Sequence, residues 1–138
     1  MRIEYVEAVL DVVRLVPAGS VVSYGDVSEL LGMGGPRQVG SVLSHYGSAV
    51  SWWRVLKADG HAPEGHEAEA LEHYLAEGTP LTGDYGPFLR TGEGRWRVNI
   101  SRARWAPAED DLDLVDAVAR HLERRLQRLS VADDGMSV

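Results

Sequence analysis

At 138 residues the chain is long enough for one domain with a real core and too short for two ordinary ones; its apolar and charged fractions are those of a globular protein. It contains no cysteine, which excludes disulfides, cysteine-based zinc sites and thiol catalysis. The net charge of −7 argues against a nonspecific nucleic-acid coat, but the charge is unevenly placed. From Ala106 onward, eight acids stand against four arginines, a balance of −4, whereas Gly32 to Gly60 carries +2 and Phe88 to Trp105 carries +4. Two basic islands in an acidic chain keep nucleic-acid binding open. No apolar run reaches membrane-spanning length and the first residues lack a basic-then-apolar leader pattern, so a cytoplasmic protein without membrane contact is expected.

Ile3 to Val16 predicts an amphipathic helix. Val6, Val9, Leu10, Val13 and Leu15 or Val16 make its apolar stripe, and Glu4, Glu7, Asp11 and Arg14 face water. Pro17-Ala18-Gly19 ends it, and Val21-Val22-Ser23 is a short extended step before a second helix over Gly25 to Leu31. Gly32-Met33-Gly34-Gly35 breaks the chain ahead of a third helix, Pro36 to His45, with Pro at the first helical position, where its missing N–H is tolerated. Val39, Val42 and Leu43 share one stripe of this helix; Arg37, Ser41, Ser44 and His45 fall mostly on the other, a face with small residues and no carboxylate. Helix, glycine-containing turn and polar-faced helix make a helix-turn-helix arrangement, here with a longer turn than usual.

Ala49 to Lys57 is expected to be extended, Ala58-Asp59-Gly60 a turn, and His61 to His66 a polar loop. Glu67 to Glu77 predicts a helix with Ala70, Leu71, Tyr74 and Leu75 inward and Gly78 as its stop. Thr79 to Gly94 reads as loop, and Arg95 to Ile100 as a strand with Trp96, Val98 and Ile100 on one side. Pro107 to Leu129 is the last helix, with an acidic first turn and an apolar stripe of Leu112, Val115, Val118, Leu122, Leu126 and Leu129; Val131 to Val138 is expected to fray. The fold class is mainly α with short β, a winged helix-turn-helix-like DNA-binding domain over residues 1–87. A C-terminal extension over 88–138, a basic strand and an amphipathic helix, packs on that domain.

Neighbouring residues of a strand point to opposite faces, so one of Trp52 and Trp53 packs inward and the other meets a groove, where an indole offers a base a stacking surface. Arg37 is either a helix-surface charge or, beside a carboxylate-free face, a side chain that enters DNA and fills the space left by an extruded base. Tyr24 is either a core residue or a phosphate contact. His45, His61, His66, His73 and His121 form no metal-ligand pattern, and neither a nucleophilic serine elbow nor a glycine-rich phosphate loop is present. The residues read as a small DNA-binding domain with an aromatic pocket, no catalytic nucleophile, no metal and no cofactor.

The runs VPAGSVVSYGDVSELLG, GPRQVGSVL and SWWRVLKADG between Val16 and Gly60 resemble the DNA-binding domain of O6-alkylguanine-DNA alkyltransferases, and more closely the alkyltransferase-like proteins that lack transfer activity. The resemblance spans roughly Ile3 to Leu81. It places Trp52 at the alkyl-accepting cysteine of the Pro-Cys-His-Arg motif and Arg54 at its arginine, with Ser51 and Trp53 departing from the motif's proline and histidine. It also implies Arg37 as the finger residue, Tyr24 at the flipped nucleotide's phosphate, and Glu67 to Gly78 as the helix closing the far side of the lesion pocket. The loop His61 to His66 lacks an arginine that some relatives place against the alkylated base.

The expected DNA-binding residues are Ser23, Tyr24, Arg37, Gln38, Ser41 and His45, and the expected lesion pocket is Tyr24, Ser51, Trp52, Trp53, Arg54 and His66. The resemblance implies a non-enzymatic protein that binds double-stranded DNA carrying alkylated guanine. Its recognition helix enters the minor groove, the base is flipped into a Trp-containing pocket, and the lesion is flagged for nucleotide-excision-repair proteins. The alternative is a winged-helix regulator without lesion specificity.

Overall fold

A computed structural model describes the backbone of residues 1–136 and the side chains of residues 1–131. Seven helices and four short strands follow one another as α1 (Ile3–Leu15), β1 (Val22–Ser23), α2 (Tyr24–Leu31), α3 (Pro36–Tyr46), β2 (Val55–Leu56), α4 (Glu67–Glu77), β3 (Leu81–Gly83), α5 (Tyr85–Thr91), β4 (Trp96–Val98), α6 (Ile100–Ala103) and α7 (Glu109–Met136). The class is mainly α with short β, a helix-turn-helix-type domain, as expected.

The core has two lobes. In the first, Val6, Val9, Val12 and Val13 of α1 meet Val27 of α2, Val39 and Val42 of α3, and Val115 and Leu122 of α7. Each such buried valine contributes roughly 1.5–2 kcal/mol of apolar transfer free energy. The second lobe sits under α4: Ala70, Leu71 and Tyr74 pack against Leu56, Trp96, Val98 and Ala103. Because α7 lies against α1 and α2, its stripe is internal to the fold, with Val115 and Leu122 buried; Leu112, expected in that stripe, is 43% exposed.

Short strands stitch the lobes together. β1 and β2 run parallel, with Val22 opposite Val55 and Ser23 opposite Leu56; Val21 bridges Arg104, donating its N–H to Ala103 and accepting from Trp105. β3 and β4 are antiparallel, with Leu81 opposite Val98. The boundary expected at 87/88 therefore falls inside α5 and between two paired strands.

Five local expectations are corrected. Ala49 to Lys57 is not one strand: Gly47–Ala49 and Trp52–Arg54 are 3₁₀ turns and only Val55–Leu56 is extended. Trp53 and Arg54 both reach Glu77, and a strand would send neighbouring side chains to opposite faces. Thr79 to Gly94 is not loop throughout, because Pro87 is tolerated in the first turn of α5 and Phe88 anchors that helix edge-on to Trp96 at 5.7 Å. Strand β4 stops at Val98, since Asn99 turns to donate to the Pro80 carbonyl and Ile100 opens α6. Leu75 is 42% exposed, because Ala70, Leu71 and Tyr74 already fill the buried stripe of α4. The last helix begins at Glu109 and runs to Met136, so the segment expected to fray is helical to there; residues 137 and 138 lie outside the described residues.

The turn between α2 and α3 depends on Gly34. Its φ is +75°, and an added Cβ would lie 2.2 Å from the Tyr5 hydroxyl, which donates to the Met33 carbonyl at 3.3 Å. The phenol of α1 thus props the turn from beneath and leaves no room for a side chain.

Candidate nucleic-acid interface

Helix α3 presents the expected face. Val39 and Val42 are buried, while Arg37, Gln38, Ser44 and His45 are exposed and Ser41 is half-exposed. No carboxylate stands anywhere in α3, and Arg37 makes no ion pair among the described residues. His45 is turned back along the helix, with Nδ1 2.8 Å from the Ser41 carbonyl oxygen, so that nitrogen carries the proton as donor. Tyr46, just beyond the expected helix end, is 47% exposed beside His45.

Ser23 is buried rather than placed on this face. Its hydroxyl accepts from Asp26 N–H at 3.0 Å while the Asp26 carboxylate accepts from Ser23 N–H at 2.9 Å, a reciprocal cap for α2. Arg104 grips the same carboxylate at 2.7 Å. The cap fixes Tyr24 as the first residue of α2, half-buried over Gly40, where burial raises its phenol above the ordinary pKa and keeps it a neutral donor.

Between α3 and the segment leading into α4 lies an open cavity of about 420 Å³. Its lining comprises Tyr24 of α2, Gly40, Leu43, Ser44, Gly47 and Ser48 of α3 and the turn after it, Trp52, and Pro63, Glu64, His66 and Glu69 of the segment leading into α4 and its first turn. Its size suits a small-molecule ligand, and its mixture of aromatic, hydroxyl and charged groups suits a heteroaromatic one. The Trp52 indole is half-buried, 5.5 Å from the His66 ring and edge-on to Trp53 at 5.7 Å.

Behind Trp52, two of the other three residues of the motif, Trp53 and Arg54, belong to a clamp. Arg54 donates through Nη2 to Glu77 Oε1 at 2.7 Å, through Nε to Oε2 at 3.2 Å, and through Nη1 to the Val16 carbonyl at 2.9 Å. Trp53 donates its indole N–H to Glu77 Oε1 at 2.9 Å and stacks face-on against His73 with ring centroids 3.5 Å apart. Gly19 N–H donates to Glu77 Oε2, and Tyr74 donates to the Trp53 carbonyl at 2.6 Å. Burial pushes the Glu77 carboxyl up, but the hydrogen bonds from Arg54, Gly19 and Trp53 outweigh it and hold the group below its ordinary pKa.

Of the six residues expected in the pocket, the structure therefore gathers Tyr24, Trp52 and His66 around one cavity. Ser51, Trp53 and Arg54 lie outside its lining. Sequence reasoning missed Leu43, Ser44, Glu64 and Glu69; the available signal was the spacing of Gly40, Ser44 and Gly47, small residues along one edge of α3. It also missed Glu77, although a carboxylate in the last turn of a helix opposes the dipole and so implies a cationic partner. Among the described residues, no group of three or more His, Asp or Glu side chains is arranged to hold a metal, and no helix is long and apolar enough to cross a membrane.

The chain is similar to known proteins in sequence and in fold. Alkyltransferase-like protein 1 of Schizosaccharomyces pombe is 29% identical over 114 residues, covering 75% of this chain and 96% of that protein. A crystal structure of S. pombe alkyltransferase-like protein in complex with DNA matches with a TM-score of 0.62 at 27% identity, covering 78% of this chain and all of that one. The S. pombe protein bound to damaged DNA containing O6-carboxymethylguanine matches in fold with a TM-score of 0.64 at 24% identity, covering 78% and 99%. The family model described as the DNA-binding domain of 6-O-methylguanine DNA methyltransferase matches residues 4–77, which run from α1 through the clamp carboxylate Glu77. The chain belongs to the family defined by that DNA-binding domain.

Proposed function

We propose that this protein is a DNA-repair protein that recognises O6-alkylguanine in double-stranded DNA without enzymatic turnover, receiving the extruded base in the cavity beside Trp52. The observation that carries the reading is the cavity itself, open beside a carboxylate-free α3 and walled by Tyr24, Trp52 and His66. α3 lies in the minor groove, with Gln38, Ser41 and His45 toward the backbone and Arg37 in the space the base vacates. An alkyl group at O6 weakens pairing, so extruding that base costs less than extruding guanine. The chain has no thiol to accept the alkyl group and an indole is no substitute, so the complex persists rather than turning over. Persistence suits a flag for nucleotide-excision-repair proteins in the cytoplasm. Trp53 and Arg54 serve the pocket from behind by fixing the turn that aims Trp52, and Ser51 starts that turn. The relatives' complexes with DNA, one of them carrying a carboxymethylated guanine, support the ligand class.

The deciding experiment is a competition titration of an O6-methylguanine duplex against the matched guanine duplex. Tighter binding of the methylated duplex is expected; equal affinities overturn the reading.

A further inference from the structure

The charged groups of the cavity lining come from one stretch of the chain. The part from α2, α3 and the turn after it carries only Tyr24, glycines, Leu43 and the hydroxyls of Ser44 and Ser48. Every other ionisable side chain of the lining comes from the segment leading into α4 and its first turn, as Glu64, His66 and Glu69, and the His66 ring lies 5.5 Å from the Trp52 indole. Neither Glu64 nor Glu69 is in an ion pair among the described residues, and no lysine or arginine lines the cavity. The loop that presents them is built: His66 N–H donates to the Pro63 carbonyl, Gly65 N–H to Glu67 Oε1, and Ala70 N–H to the His66 carbonyl. Both carboxylates are exposed and well screened while water fills the cavity. A duplex laid over the opening displaces that water and strengthens their field on whatever occupies the site.

We propose that Glu64 and Glu69 select among O6 substituents by charge, admitting neutral alkyl groups and discriminating against anionic ones such as carboxymethyl. This rests on the lesion-binding reading above and refines it. A substituent directed at Trp52 enters a cavity lined by both carboxylates and by no lysine or arginine, so an added carboxylate meets two like charges. A neutral group of the same size meets no such repulsion.

The test compares three duplexes, carrying O6-methylguanine, O6-carboxymethylguanine and O6-carbamoylmethylguanine, the last a neutral match in size to the second. The intact protein should bind the carboxymethyl duplex roughly threefold to tenfold more weakly than the carbamoylmethyl duplex. The double variant Glu64→Gln/Glu69→Gln, exposed at both positions and so expected to fold, should close that gap. Equal or tighter binding of the carboxymethyl duplex by the intact protein overturns the proposal alone, as does a gap that persists in the double variant. Loss of all preference for methylated over plain guanine in the intact protein instead overturns lesion recognition, and charge selection with it.

Discussion

The tetrapeptide Ser51 to Arg54 serves two regions with opposite physical characters. On the DNA side, Trp52 joins a cavity whose polar groups, Glu64, His66 and Glu69, are exposed, while Arg37 waits on α3 without a partner among the described residues. Behind it, Trp53 and Arg54 enter a clamp in which both oxygens of Glu77 accept from two donors each. A group that is already fully bonded stabilises the fold and has nothing left to offer a ligand; a group held open contributes little to folding and is free for binding. Adjacency in sequence therefore says little about role, while hydrogen-bond saturation says much.

The contrast breaks most sharply at Glu77. Glu77→Ala strands the Arg54 guanidinium, 17% exposed, together with the Trp53 and Gly19 donors, and should cost about 3 kcal/mol in urea denaturation. The same carboxylate sets an acid limit. Its folded pKa lies below its unfolded one, so its contribution is complete above the ordinary glutamate range and is lost as pH falls through the lowered value. Glu77→Gln should flatten that part of the stability–pH curve; an unchanged acid transition would remove the clamp's electrostatic role.

Gly34→Ala attacks the scaffold beneath the interface. With φ at +75° and Tyr5 2.2 Å from the new Cβ, it should destabilise by roughly 2 kcal/mol, and thermal denaturation would read it. On the open side, Arg37→Ala should leave the denaturation midpoint unchanged and weaken binding to an O6-methylguanine duplex by about tenfold in a fluorescence titration. A drop in stability with unchanged affinity would reverse the assignment of the two regions. The smallest effect belongs to Arg104→Ala, which removes a half-exposed ion pair with Asp26 and should cost about 0.5 kcal/mol in the same urea experiment.

The order of elements and the helix-turn-helix face were legible from apolar spacing, and the family from the run between Val16 and Gly60. Local pattern failed where a distant partner decides. The tryptophan pair sits in a region with strand composition, yet Glu77, more than twenty residues away, pulls Trp53 and Arg54 to one side and forces a 3₁₀ turn. Ser23 was expected among the DNA-binding residues, but Asp26 three residues on takes its hydroxyl as a cap. The extension from residue 88 was set off by the end of the resemblance, and β3 and β4 pair across that point.

By itself, the sequence determined what is additive along the chain: helices with buried stripes, a carboxylate-free α3, and the absence of any thiol at the position of Trp52. Only the tertiary structure decided which polar groups are spent and which stay open. That division depends on contacts between residues far apart in the chain, such as Gly19 with Glu77, Arg54 with Glu77 and Trp52 with His66, and no local periodicity encodes them.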